Sequence, residues 1–340
     1  GSEMCIRDRG PTVFYEGELA NRIASRLKEL GGFVNREDLA AQVPLWVAPI
    51  SVTYKGHRLF ELPPNGQGIA ALEMLKILEA IDLKSMGHNS AEYLHHLIEA
   101  KKLAFADLNQ FVGDPEHMTI DADDLLNARF IESRRNLITS KAIPRPEPGK
   151  PLTESETTYL TVSDRHGNMV SFINSVSATF GSRVVVPGTG FVLQNRGAGF
   201  TLKEGVANTV GPRKRPFHTI IPAFVTRIGA EGSEEPWLSY GVMGGSMQPQ
   251  GHVQVLLNLI EFGMDLQEAV DAARFRHLEN LQVALEPVFG EAIRTGLTSR
   301  GHDIVSSEGV FFGGGQVVEK LEKGWAGASD PRMDGQASGH

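Results

Sequence analysis

Glu156-Thr157-Thr158-Tyr159-Leu160-Thr161-Val162-Ser163-Asp164-Arg165-His166-Gly167-Asn168 opens a strand–turn–strand pattern directly after a proline-rich stretch. A threonine hydroxyl is a weak nucleophile alone, but an α-amino group on the same residue can act as its base. That amine has a pKa of roughly 7.7–8.0, so it is partly unprotonated near neutrality. Cutting the bond between Glu156 and Thr157 would give one residue both nucleophile and base. Beyond the turn, Met169 to Ser175 reads as the returning strand. With the turn centred on His166, Thr157 and Ser175 become cross-strand neighbours, with Cβ atoms about 5 Å apart. A second hydroxyl there could hold the rotamer of the first.

The residues before this stretch explain why the chain could be cut here. Residues 143–156, Ile-Pro-Arg-Pro-Glu-Pro-Gly-Lys-Pro-Leu-Thr-Glu-Ser-Glu, read as a linker. Prolines at that spacing exclude helix and central strand. An extended polar segment tolerates cleavage without loss of a core. Residues 10–142 upstream read mostly helical, and 157–340 reads as strands mixed with helices.

In the upstream part, Leu19, Ile23, Leu27 and Leu30 recur at helical spacing up to Gly31-Gly32. Asn35 is placed to cap a short helix. Residues 50–62 read as a strand pair around Gly56-His57. A helix carrying Ile69, Leu72, Leu75 and Leu78 follows, then one capped by Ser90, then one capped by Asp121 that runs through Ile131. Downstream, strands are expected over 190–194, 219–227 and 237–243, and helices over 251–262, 266–275 and 289–300. A final turn–strand set covers 310–321 and 324–330.

Composition is that of a globular protein: 340 residues, 41% hydrophobic, 22% charged. The net charge of −8 argues against nucleic acid or an anionic membrane as partner. No apolar run approaches the roughly 20 residues of a membrane span. Residues 1–9 read as translated adapter sequence and are set aside from fold reasoning. They hold the single cysteine, Cys5, so the rest has no thiolate nucleophile and no cysteine metal site. No metal or other cofactor is expected. His95-His96 are adjacent and share no helix face, and His252 stands without a His-x-x-x-His partner. Phe312 to Gln316 lacks the lysine and hydroxyl residue of a phosphate loop.

An ordered set of motifs resembles the γ-glutamyltransferase family of N-terminal-nucleophile hydrolases. It consists of Phe14-Tyr15-Glu16-Gly17-Glu18, Gly31-Gly32, Glu37-Asp38-Leu39-Ala40, Thr157-Thr158-Tyr159 with Asp164 and Gly167-Asn168, Gly211-Pro212 with Lys214-Arg215-Pro216, Gly244-Gly245, and Gly327-Ala328-Ser329-Asp330-Pro331-Arg332. The resemblance implies an α+β, four-layer αββα sandwich and autocatalytic cleavage after Glu156 into large and small subunits from one precursor. It implies attack by Thr157 on a small-molecule amide, with water or an amine as acceptor. Ser175 stands where the family has a threonine supporting the nucleophile. Gly244 and Gly245 would supply the oxyanion-hole amides, and such a donor is worth roughly 10²–10³ in rate.

The departures define the expected pocket. Arg196 and Gly199 replace the residues that would receive a glutamyl ammonium, so a guanidinium suited to carboxylate stands in place of an acid. His218 and Thr219 replace a serine pair, Ser177 replaces an asparagine, and the loop between Phe200 and Pro216 is shorter. The four residues Ser177, Arg196, His218 and Thr219 are the expected substrate-binding set. This pattern is similar to the acylase and amidohydrolase side of the family, including cephalosporin-acylase-like and oxamate-amidohydrolase-like proteins. Asp330 and Arg332 read as a structural ion pair. The resemblance also implies a chain truncated at its N-terminus, lacking part of the large subunit, for which a non-catalytic homologue is the rival reading. Oligomeric state, including a homo-oligomer, and compartment, cytoplasmic or periplasmic, are left open.

Overall fold

The computed structural model describes residues 10–146 and 156–339. The chain forms two compact units, one built from the residues up to Val47 with Val176–Asn195, the other from Ala48–Ser175 with Arg196–His340.

The smaller unit contains α1 (Glu18–Glu29) and α2 (Arg36–Ala40). Asn35 caps α2 as expected: its side chain accepts from the Asp38 N–H and Asp38 returns a bond to the Asn35 N–H. In the same unit, residues 190–194 were expected as a strand. They form only an isolated bridge, Val185 to Val192.

The larger unit is built on a six-stranded antiparallel sheet, in the order β1 (Ile50–Tyr54), β2 (His57–Glu61), β5 (Ala223–Ile228), β6 (Glu234–Met243), β10 (Gly314–Lys320) and β11 (Trp325–Ser329). One face is covered by the apolar helices α3 (Gly68–Leu78) and α7 (Met247–Ile260), with α4 (Ala91–Phe111) packed on α3. Ser90 caps α4, accepting from the Tyr93 N–H at 3.1 Å. The other face receives the two-stranded sheet of β3 (Glu156–Ser163) and β4 (Met169–Ser177).

Two neighbouring residues of β6 show these layers lie on opposite faces, because successive strand residues point to opposite sides. A Cβ on Gly251 of α7 would fall 2.6 Å from Val242, and a Cβ on Gly241 would fall 2.6 Å from the Tyr159 ring of β3. The helix layer, the six-stranded sheet and the β3–β4 sheet therefore stack in that order, and the fold is α+β as expected.

Two expected helices differ, and a small sheet was not expected. The helix after Asp121 is two, α5 (Ala122–Leu126) and α6 (Ala128–Arg135), because the extended Asn127 turns its side chain to cap the Arg129 N–H. The helix expected over 266–275 stops at Asp271 as α8 (Leu266–Asp271). Phe275–His277 forms β7, paired with β8 (Gln282–Leu285), which pairs in parallel with β9 (Asp303–Val305) after α9 (Glu291–Ser299).

Candidate active site

Thr157 belongs to the inward face of β3. Thr157, Tyr159 and Thr161 are covered to different degrees while Thr158, Leu160 and Val162 are exposed, as the two-residue strand period requires. Tyr159 lies flat over Gly241 and its hydroxyl meets Ser171 Oγ of β4 at 2.7 Å. Thr161 Oγ1 donates to Ser239 Oγ of β6 at 2.7 Å. The hydroxyls of this face are thus bonded to the sheet beneath or to β4. Thr157 differs: its Oγ1 is buried and has no hydrogen-bond partner among the described residues. Leaving a buried hydroxyl unpaired costs about 1–3 kcal/mol.

The hairpin that carries Thr157 is closed by Asp164, whose N–H donates to Asn168 O at 3.0 Å. The Asp164 carboxylate accepts from the His166 and Asn168 N–H groups and from the Asn168 side chain, which holds it below the usual carboxylate range. Ser175 lies on the same covered side of β4 as Ser171 and Ile173. Thr157 lines an open groove of about 1170 Å³ with Met243, Gln316, Trp325 and the 333–339 segment.

Met243 is the last residue of β6, and Gly244-Gly245 turn the chain from it into α7. Their φ angles of +126° and +59° fall where side chains are disfavoured. A Cβ on Gly244 would also meet Met247 and the Phe311 ring at 3.2 Å. Gln67, fully buried at the start of α3, holds this turn. Its Nε2 donates to Gly245 O and to Thr219 O, both at 2.7 Å. Thr219 Oγ1 in turn accepts from Arg196 Nη1 at 3.0 Å. A continuous hydrogen-bonded path thus joins Arg196, Thr219, Gln67 and Gly245.

His218 lies beside Thr219, with its N–H on Asn65 O at 3.1 Å and its ring against Gly66, where a Cβ would fall 2.8 Å from Cε1. Burial, and then the Arg196 charge, push its pKa down to about 4, so the ring is neutral at pH 7. Burial also lowers the pKa of Arg196. The two are side by side, yet Arg196, His218 and Thr219 do not line the groove that Thr157 lines. Ser177 belongs to the smaller unit and has φ +78°. The loop from 200 to 216 is tied down at Ala207 N to Gln110 O, 3.2 Å, and Arg215 N to Asp114 Oδ2, 2.7 Å.

Several side-chain relationships have no sequence signature. Gln67 is one. His252, which sequence spacing isolates, has Nδ1 2.7 Å from Glu61 Oε1 inside the helix–sheet core. Asp330 accepts from Arg274 at 2.7 Å, Arg332 at 3.0 Å and the Gly315 N–H at 2.8 Å, while Arg332 grips Glu286 at 2.6 Å. These four charged groups tie β10 and β11 to α8 and β7, a structural role. His95, Glu99 and His302 come together with ligand atoms within 4.8 Å of one another, although His95 and His96 were judged only by their adjacency. Hydrogen bonds already engage most of these atoms: His95 to His302 at 2.8 Å and to Thr139 O at 2.7 Å, and Glu99 to Lys102 at 2.7 Å and Ile143 N at 2.9 Å.

The layered α+β fold is shared with an acylase of known structure. Cephalosporin acylase from Bacillus halodurans superposes with a TM-score of 0.89 at 43% identity, over 99% of this chain and 62% of that one. Residues 4–340 match the family described as gamma-glutamyltranspeptidase, and the chain belongs to that family of N-terminal-nucleophile hydrolases. Among its relatives, the glutathione hydrolase-like YwrD proenzyme of Bacillus subtilis is 37% identical over 98% of this chain and 64% of its own length. The oxamate amidohydrolase proenzyme of Klebsiella pneumoniae is 31% identical over 100% of this chain and 64% of its own. The chain therefore spans just under two thirds of these relatives. Among the described residues, no helix is long and apolar enough to cross a membrane.

Proposed function

We propose that this chain is the working part of a self-processed amidohydrolase whose nucleophile is Thr157. The observation that carries the reading is the Thr157 hydroxyl: buried, unbonded among the described residues, and lining a groove that Met243, the residue before Gly244-Gly245, also lines. In processing, Thr157 Oγ attacks the Glu156 carbonyl carbon. The peptide C–N bond breaks, an ester forms, and water releases the Glu156 carboxylate. Thr157 is left with a free amine. In turnover that amine takes the hydroxyl proton as Oγ attacks a substrate amide. The Gly244 and Gly245 N–H groups hold the oxyanion, the departing amine receives the proton, and water cleaves the acyl-enzyme. Counting outward from the Asp164–Asn168 bond, we take Ser175 as the cross-strand partner of Thr157, its hydroxyl supporting the nucleophile.

The acyl group carries a carboxylate, as a γ-glutamyl group does, and Arg196 with Thr219 receives it from outside the Thr157 groove, on the side that Gln67 ties to the Gly245 turn. A guanidinium backed by a neutral His218 suits a carboxylate better than an ammonium. The cephalosporin acylase and oxamate amidohydrolase relatives support an acyl specificity wider than glutamyl. Large and small pieces remain associated after the cut, and the acceptor is mainly water.

On a denaturing gel the purified protein is expected as two pieces divided before Thr157, and Thr157→Ala as one. Hydrolysis of a γ-glutamyl or glutaryl anilide should vanish with the same variant. A single intact band with no hydrolysis would favour a non-catalytic homologue. Hydrolysis retained by Thr157→Ala would overturn the nucleophile assignment.

A further inference from the structure

A second cavity in the larger unit, of about 390 Å³, is lined by Lys101, Lys102, Phe105, Asn109, Arg145 and His277, among others. No residue of the proposed reaction lines it. Its centre is Lys101, on α4 and only 3% exposed. Nζ lies 2.9 Å from His277 Nδ1, 3.4 Å from His277 O and 4.0 Å from the centre of the Phe105 ring. His277 Nε2 is 3.0 Å from Asn280 O. A carbonyl only accepts, so the ring hydrogen is on Nε2 and Nδ1 is the acceptor for Lys101. His277 thus supplies both polar contacts of the amine, the Phe105 ring lies against it, and all three line the cavity.

The charges around Lys101 are one-sided. Lys102 follows it and is committed to Glu99 at 2.7 Å. Arg276 is buried beside His277 and donates to Phe311 O at 2.8 Å. Arg145 stands exposed at the rim. Glu279 is the one carboxylate in the lining, and no carboxylate lies within 4.0 Å of Lys101 among the described residues. Burying an ammonium without a counter-charge costs several kcal/mol, on the order of a lost buried ion pair. Burial, then Arg276 and Lys102, accordingly push the Lys101 pKa down to about 7. The volume is that of a small-molecule pocket.

We infer that this cavity is a binding site for a small oxyanion, a carboxylate or phosphate group, held by Lys101 and Arg145. The anion supplies the missing counter-charge, so the Lys101 amine takes up a proton as it binds. For acetate, which stays ionised there, affinity is level from about pH 6 to 7 because the amine is already charged; phosphate adds its own protonation near pH 7. Above pH 7 the proton must be acquired, and affinity falls with rising pH. His277 touches the amine, Arg276 and Lys102 act on it by charge, and Arg145 and Glu279 share the cavity with it. The histidine, held neutral by its burial, does not titrate in that range.

Isothermal titration of the full chain with sodium phosphate and, separately, sodium acetate tests the inference. Buffers of different ionisation heat at pH 7.5 report proton uptake. Saturable binding with proton uptake is expected, weakened roughly ten-fold or more by Lys101→Met, the loss of one charged hydrogen bond. Arg145→Gln, on the surface and no threat to folding, should weaken it several-fold. Thr157→Ala should bind as the parent does, which separates this site from the proposed nucleophile. Phosphate binding without acetate, or the reverse, identifies the ligand class. Absence of saturable binding for both anions overturns the inference. So does equal binding by Lys101→Met and Arg145→Gln, or loss of binding in Thr157→Ala alone.

Discussion

Gln67 holds two backbone carbonyls with one amide group, and each belongs to a different part of the proposed site. Gly245 carries one of the amides proposed for the oxyanion, and Thr219 carries the hydroxyl that accepts from Arg196. Gln67→Met keeps the buried volume and removes both bonds. Thr219 O loses its donor, at about 1–3 kcal/mol, while Gly245 O keeps only the Gln248 N–H at 3.2 Å. The Gly245 turn then loses its bond to α3 and keeps only the local one from Gln248, so kcat should fall at least ten-fold. Arg196 loses its fixed acceptor, so KM for carboxylate-bearing anilides should rise while KM for neutral anilides stays level. Steady-state kinetics on the two substrate classes separates this from simple destabilisation, which would lower active enzyme without moving KM. Arg196→Ala should reproduce the KM effect without the full kcat effect. An equal change for both substrate classes would remove the carboxylate role from Arg196.

The β3–β4 hairpin is the element that brings Thr157 to the sheet, and a glycine on the sheet decides how closely it lies. Gly241→Ala would place a methyl carbon 2.6 Å from the Tyr159 ring, two residues from Thr157. The ring cannot retreat without pulling its hydroxyl from Ser171. We expect destabilisation of roughly 1–3 kcal/mol, the usual cost of overpacking, and slower conversion to two bands. Gly241→Ala with Tyr159→Leu should process faster than Gly241→Ala alone. Denaturant unfolding and a timed gel check both. The hairpin was legible because its turn is local: Asp164 and Asn168 close it with their own side chains and backbone. The helix after Asp121 was misread for a similarly local reason. Nothing in its apolar spacing records that Asn127 spends its side chain on a cap. β7 was missed because its only sign is a partner, Gln282–Leu285, that tertiary structure supplies. The site divides in the same way. Thr157 and Gly244-Gly245 stand in patterns that a sequence displays. Gln67 and Lys101 do not, because a lone glutamine or lysine shows nothing until its surroundings are buried around it.

At the scale of the whole molecule, burial of ionisable groups sets the pH range in which the fold survives. His57, His88, His95, His218, His277 and His302 all have pKa values below the ordinary 6.5, each chiefly through burial. Two are held to about 4 and about 3, His218 and His302. A histidine depressed in the folded state contributes stability that is present above pH 6.5 and lost as pH falls towards its folded value, because the unfolded chain takes the proton first. Glu61, Glu73 and Glu99 run the other way. Burial raises them, so their contribution is present below the ordinary carboxyl value and is lost as pH rises through the folded one. The two sets oppose each other as the protein is acidified, and the more numerous histidines dominate between pH 6.5 and about 4, the value His218 is held to. We expect Tm to fall steadily over that interval, by scanning calorimetry at matched ionic strength. His302→Asn removes one proton-accepting group while keeping a polar side chain near His95 and Glu99. The variant should be less stable at pH 7.5, and its Tm should fall less steeply on acidification than that of the parent. Parallel curves for the two proteins would show that His302 takes no proton on unfolding, and that its burial does not hold the ring neutral.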